Sequence, residues 1–268
     1  MPWVGLCSQI QNVAHREEKV RSSIAAVIDQ RRVGRSTWES LVGQFRSLVP
    51  GIPGSEGQFS LLQAALAQGS DGRVRVSKAV KQQLHTFLDL LDNPQPTLFE
   101  ELVPGHPTHI GACDAAKSGA GGVWFPYASQ TNQSDYEGEP LVWRLPFPEE
   151  VQNEMVSWNN PRSRITNLDM ETAGTILHQE LLGDHAHVAG ETCHNYSDNT
   201  PSVARRTKGS ATTTTKATAA LLRYTALHRR RHQSRNQYQH FSGDVNYMGD
   251  NASRLWNLSD SEFLTYFN

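Results

Sequence analysis

The stretch from His109 to Phe125, reading HIGACDAAKSGAGGVWF, constrains the fold more than any other part of the chain. Ile110 and Ala112 before the middle, and Val123, Trp124 and Phe125 after it, are apolar and strand-forming, so the two halves predict a hairpin. Gly119, Gly121 and Gly122 lie between them and permit the positive φ angles of a tight reversal. Asp114 breaks the pattern. A carboxylate inside an apolar strand loses hydration and persists there only when something cationic, often a metal ion, meets it. Taken alone, it reads equally well as an aspartate that caps the turn.

Ahead of the hairpin the periodicity is helical. Val20, Ile24, Val27 and Ile28 recur at helical spacing up to Gly34, and Ser36 with Glu39 predicts a capping box for a second helix carrying Trp38, Leu41, Val42, Phe45 and Leu48. Leu61, Leu62, Ala65 and Leu66 predict a third helix, and Ser77 caps a fourth with Val80, Leu84, Phe87, Leu88 and Leu91 inside. Nothing here has catalytic spacing. Pro94, Pro96, Pro104 and Pro107 then block regular structure. The expected organisation is a helical region over 1–92, a linker over 93–107, a second domain over 108–256 and a further helix over 257–268, cut short at Asn268.

Beyond the hairpin, Leu141, Val142, Trp143 and Leu145 give a third strand that ends at Pro146, and residues 149–164 read as an inserted connection. Met170, Ala173, Gly174, Leu177 and Leu181 form a helical stripe with Glu171 in the first turn at its edge, where it also suits the helix dipole. Val188 to Tyr196 predicts a strand running into Ser197-Asp198-Asn199, after which Thr200 caps a helix with Pro201 in first position. Asp198 therefore stands at the carboxyl end of a strand, where open α/β sheets place ligand sites. A helix over 215–232, a strand over 238–242 and a helix over 246–256 carrying Asp250 complete an α/β domain.

Two carboxylates about 4 Å apart repel by roughly 4 kcal/mol at an effective dielectric near 20. A hard divalent ion reverses that sign, and oxygen-only ligands suit Mg²⁺ or Mn²⁺. In order, the blocks CDAAKSGAGGVWF, NLDMETAG, YSDNTPSVA and GDVNYMGDNASR resemble the four signature blocks of a type 1 ribonuclease H of the kind found in retrotransposon polyproteins, over residues 108 to 256. MPWVGLCSQIQN with the following helices, and PTLFEELVP before the hairpin, resemble the end of a reverse transcriptase palm, its thumb and its connection, of DIRS-like or gypsy-like type. No Tyr-X-Asp-Asp is present, so the chain is not expected to polymerise DNA.

That resemblance implies a five-stranded mixed sheet in the order 3-2-1-4-5 with helices on both faces, preceded by a small, mostly helical region. It implies a metal-dependent endonuclease that hydrolyses the RNA strand of RNA/DNA hybrids and holds two Mg²⁺ ions, or Mn²⁺. Asp114, Glu171, Asp198 and Asp250 match the family's metal-binding acids, with Asp169 a rival for the helix position, and His240 matches its mobile histidine. The reverse transcriptase polymerase domain of the parent polyprotein is the implied partner. The alternative is a silent nucleic-acid-binding domain that keeps the fold; a third possibility is a nuclease or integrase of the same superfold acting on DNA.

Charge is uneven although the net charge is only −2. Between Asn199 and Gly243 stand nine basic residues and no acidic one, which suits a phosphate backbone. Asn199, Arg205, Arg206, Lys208, Lys216, Arg229, Arg230 and Arg231 are therefore the expected nucleic-acid contacts. Three cysteines without a CxxC pair suggest neither a disulfide framework nor a zinc ribbon, with Cys113 and Cys193 expected as buried thiols. With no apolar run long enough for a membrane span and no signal-peptide pattern at the start, an intracellular chain, cytoplasmic or nuclear, is expected.

Overall fold

The computed structural model describes residues 4–48, 52, 55, 58–93, 105–127, 139–208 and 216–267. Most of the proline-rich linker, residues 94–104, lies outside them, as do the side chains of Cys7 and Lys216. The chain divides into two compact units, Met1–Thr97 and Leu98–Asn268.

In the first unit α1 (Val4–Ile28), α2 (Arg35–Leu48), α3 (Phe59–Ala67) and α4 (Lys78–Asp92) enclose one apolar core. Phe45 and Phe87 stack with ring centroids 4.0 Å apart, and the buried Trp38 indole donates to the Leu62 carbonyl at 3.0 Å. Ser77 caps α4 by accepting from the Val80 amide at 3.3 Å. Two sequence expectations need correction. α2 begins at Arg35, so Ser36 lies inside it, and Glu39 accepts from Arg35 Nε at 3.0 Å instead of closing a capping box. The helical stripe that opens the chain stops at Ile28, and β1 (Arg32–Gly34) pairs antiparallel with β2 (Arg73–Arg75), a ribbon too short to show periodicity.

The second unit is a mixed five-stranded sheet flanked by helices. Its strands are β3 (His109–Ala116), β4 (Gly119–Pro126), β5 (Leu141–Pro146), β6 (Thr192–Ser197) and β7 (Arg235–His240), lying in the order β5-β4-β3-β6-β7. β3 and β5 pair antiparallel with β4, whereas β6 runs parallel to both β3 and β7. The helices are α5 (Glu149–Asn153), α6 (Asn167–His185), α7 (Thr200–Lys208), α8 (Lys216–His232), α9 (Tyr247–Arg254) and α10 (Asp260–Phe267). The short α5 falls within the inserted connection.

The hairpin glycines serve a purpose other than reversal. Gly119, Gly121 and Gly122 all lie in β4, and the positive-φ glycines among the described residues are Gly72 and Gly190. A Cβ on Gly121 would come within 2.3 Å of the Ala252 backbone, and one on Gly122 within 2.8 Å of His178 Nδ1. The first absence lets α9 lie directly on the sheet, and the second makes room for His178. That histidine is fully buried, stacks on Trp124 at 4.1 Å, and accepts from Trp143 Nε1 at 2.8 Å.

Candidate metal and nucleic-acid site

Four elements deliver the four acids to one end of this sheet. Asp114 sits in β3 opposite Gly121, buried, and Ser253 Oγ in α9 donates to its Oδ2 at 2.7 Å. Arg254 lies 2.6 Å from Asp250 Oδ1 and 3.8 Å from Asp114 Oδ2, bridging the two carboxylates. Ser253 and Arg254 follow Asp250 by three and four residues, so one face of α9 carries an acid, a hydroxyl donor and a cation toward the same strand.

Glu171 lies in the second turn of α6, not the first; the first-turn acid is Asp169. Burial, then repulsion from Asp114 and Asp198, pushes the Glu171 carboxyl up to about 8, opposed by the Ala115 amide and Arg254. Asp198, just beyond the end of β6, is raised in the same direction by burial and by Asp114 and Asp250, while hydrogen bonds from its own amide and from Asn246 oppose the shift. The rival Asp169 faces elsewhere. It closes a capping box with Thr166, accepts from Thr218 Oγ1 at 2.5 Å, and lies 3.5 Å from Arg205.

Sequence reasoning passed over Asn246, Ser253 and Arg254. Asn246 is buried at the start of α9, where its Nδ2 donates to the Cys113 carbonyl at 3.4 Å and its side chain also bonds Asp198, so it ties the β3 and β6 acids together. For Ser253 and Arg254 the signal was their helical spacing from Asp250. Asn246 had none, because its partners lie on two distant strands.

His240 closes β7 in register with Ser197 and is exposed, one strand away from Asp198. Cys113 and Cys193 are buried free thiols, and burial first, then Glu171, pushes the Cys113 thiol well up.

The basic stretch splits. Arg206 is buried; its guanidinium donates to Tyr238 Oη at 2.8 Å and also to Gln179 and Thr225, so its placement on a docking surface is corrected. Its head is held by neutral groups from three other elements. Arg205 is likewise turned inward onto Asp169, with its side chain 11% exposed. Lys208 is exposed at the end of α7. Arg231 is 64% exposed but engages Glu180 and Asp184 of α6, so acids absent from the basic segment itself face it across the helix pair. Arg229 and Arg230 are half-buried on α8. Asn199 is also half-buried and, instead of Thr200, caps α7: its Oδ1 accepts from the Ser202 amide at 2.9 Å.

No protein-family model and no curated protein matches the chain. Among solved structures it is similar to the foamy viral protease-reverse transcriptase in complex with an RNA/DNA hybrid, at 11% identity and a TM-score of 0.31, over 85% of this chain and 27% of that one. The same viral protein with double-stranded DNA matches at 9% identity and a TM-score of 0.31, over 85% and 41% of the two chains. The native prototype foamy virus protease-reverse transcriptase matches at 13% and 0.30, over 76% and 24%. The chain therefore spans between about a quarter and two-fifths of the length of these structures. Likeness at this level carries nothing further for this chain. Among the described residues no helix is long and apolar enough to cross a membrane.

Proposed function

We propose that the chain is a divalent-metal-dependent endonuclease that hydrolyses the RNA strand of RNA/DNA hybrids, with Asp114, Glu171, Asp198 and Asp250 as its metal-binding acids. One observation carries this reading: Asp114 and Asp198 both raise Glu171, and Asp114 and Asp250 both raise Asp198, so acids from four elements sit within one another's field. An all-oxygen, mutually repelling set of this kind fits hard cations such as Mg²⁺ or Mn²⁺. Two such ions supply an activated water and charge neutralisation at a phosphodiester.

The chain's own residues hold that arrangement in place. Ser253 fixes the Asp114 carboxylate, Asn246 orients Asp198, and the Ala115 amide meets Glu171. His240, exposed beside the strand that leads to Asp198, is the residue proposed to move a proton on the product side. Lys208, Arg229, Arg230 and Asn199 are the proposed contacts to the hybrid backbone, with discrimination coming from groove shape and 2′-hydroxyls. We further propose that residues 1–92 are a thumb and connection remnant and that the chain works beside a reverse transcriptase polymerase domain in a retrotransposon polyprotein.

A second reading has its own observation. Arg254 already lies between Asp250 and Asp114, where a cation is called for, so a domain that binds hybrids without cutting them could rest on the guanidinium alone. Cleavage of an end-labelled RNA/DNA hybrid in Mg²⁺ and in Mn²⁺, beside single-stranded RNA, duplex DNA and an Asp114→Asn control, tests both. Hybrid-only cleavage lost in the control is the expected result. Tight binding with no cleavage in either metal supports the silent domain.

A further inference from the structure

Away from the four acids, α6 and α8 bring a second set of ligating side chains together. Glu180 and Asp184 are four residues apart on α6, and His228 and His232 are four apart on α8, so each pair projects from one helix face. His228 Nδ1 contacts Glu180 Oε2 directly. His232 Nε2 lies 3.5 Å from Glu180 Oε1 and 4.0 Å from Asp184 Oδ1. One ligand atom from each of Glu180, His228 and His232 falls within 4.8 Å of the others.

Both imidazoles are inside the protein, with side chains 2% and 8% exposed, and the two rings lie 4.5 Å apart. The Nε2 of each is buried without a hydrogen-bond partner among the described residues. Buried polar atoms are ordinarily satisfied, so His232 Nε2, which meets Glu180 only across a long 3.5 Å contact, and the unpartnered His228 Nε2 need an explanation. The backbone also makes room for one ring: a Cβ on Gly183 would come within 2.4 Å of His232 Nδ1.

We propose that Glu180, His228 and His232, with Asp184 completing the set, bind a zinc-class divalent ion that fastens α6 to α8. A tetrahedral zinc with bonds of about 2.0–2.1 Å to nitrogen and oxygen places its ligand atoms roughly 3.3 Å apart. The separations of 3.5 and 4.0 Å from His232 Nε2 are already near that value, whereas the direct contact between His228 Nδ1 and Glu180 has to open to admit the ion. Imidazole nitrogens select this borderline class over Mg²⁺, which separates the site chemically from the all-oxygen acids. Arg231, with an exposed side chain, lies 2.8 Å from Glu180 Oε1 and 3.3 Å from Asp184 Oδ1 and is the cation that the metal displaces outward. The clasp lies nine residues along α6 from Glu171, so it steadies the helix that presents that acid without touching the acid cluster.

The test is titration of the metal-free full chain with Co²⁺, followed by visible absorption, and displacement of the Co²⁺ by Zn²⁺. Parallel titrations use Asp114→Asn, to remove the acid cluster as a source of binding, and His232→Gln made in that same Asp114→Asn background. One saturable equivalent is expected in Asp114→Asn and at least one in the unmodified chain, whose acids add their own uptake, with affinity at least about tenfold weaker once His232→Gln is added. Zn²⁺ should raise the melting temperature of the first two proteins and not of the third. If His232→Gln fails to fold, X-ray absorption at the zinc edge of the unmodified chain decides instead, and two imidazole ligands are expected. No saturable uptake, uptake undiminished in His232→Gln, uptake abolished by Asp114→Asn alone, or an edge spectrum without imidazole scattering would each overturn the site.

Discussion

Ser253 Oγ donates to Asp114 Oδ2 across 2.7 Å, joining the final turn of α9 to a buried carboxylate in the middle of the sheet. The same oxygen has Arg254 3.8 Å away. Asp114 is thus met by a hydroxyl and a guanidinium from one helix turn, each of which partly replaces the water lost on burial.

Ser253→Ala should destabilise the second unit by about 1–2 kcal/mol, because a buried charged acceptor loses a neutral donor. Urea unfolding at neutral pH measures it, and an unchanged midpoint would mean that Arg254 alone satisfies Asp114. Arg254→Ala should do less at high salt, since its side chain is 60% exposed and the pairing is screened.

Glu171 sets a pH dependence of definite sign. With its carboxyl pushed up to about 8 from an ordinary 4.5, the folded chain holds a proton that the unfolded chain has released. That contribution is complete below pH 4.5 and is lost as pH climbs toward 8, and Asp198, also raised, adds in the same direction. In chelator, the melting temperature should therefore fall over this window. Glu171→Gln should flatten the slope and stabilise the metal-free protein near pH 8, by on the order of a few kcal/mol. Mg²⁺ or Mn²⁺ should raise the melting temperature more at pH 8 than at pH 5, because protons and metal compete for the same oxygens. A melting temperature flat between pH 5 and 8 in both proteins would count against the clustering.

One strand was legible as an apolar run, since Leu141 to Pro146 forms β5 over the very residues that run marks, whereas β6 starts at Thr192 rather than Val188 and β7 runs from Arg235 to His240 rather than from 238 to 242. The purpose of the hairpin glycines was not legible. A glycine needed for positive φ and one needed because Ala252 or His178 passes close leave the same letter, and only packing separates them. Arg206 failed for a related reason. Its neutral partners Thr225, Gln179 and Tyr238 come from α8, α6 and β7, so nothing near it in sequence marks it as internal. The acids stand between these cases: Asp114 is conspicuous in an apolar strand, but the shared field of Glu171, Asp114 and Asp198 arises only once their elements are assembled.

Gly121→Ala tests the close approach of α9. The atoms that a Cβ would meet at 2.3 Å are the Ala252 backbone carbonyl carbon and oxygen, which cannot rotate away as a side chain could. Accommodation must lift α9 and with it Asp250, Ser253 and Arg254. The expected outcome is a loss of about 1–3 kcal/mol in urea together with the disappearance of hybrid cleavage. A Gly121→Ala protein with full stability would show that α9 does not seat on β4 as closely as described.

The divided basic segment makes the final prediction, a contrast between Arg206→Ala and Lys208→Ala. Removing the buried Arg206 leaves Gln179, Tyr238 and Thr225 short of a partner and opens space beneath α7, so its effect belongs to stability, about 1–3 kcal/mol. Lys208 is exposed, so its loss should leave the melting temperature unchanged. If it meets a phosphate, the slope of log affinity for a hybrid against log salt should fall by about 0.7–0.9. Hybrid affinity measured from low to moderate salt on both variants, with melting curves alongside, separates the roles. A changed salt slope in Arg206→Ala at undiminished stability would return Arg206 to the surface, and unchanged slopes for Lys208→Ala and for Arg229→Ala would remove this face from the proposed path of the nucleic acid.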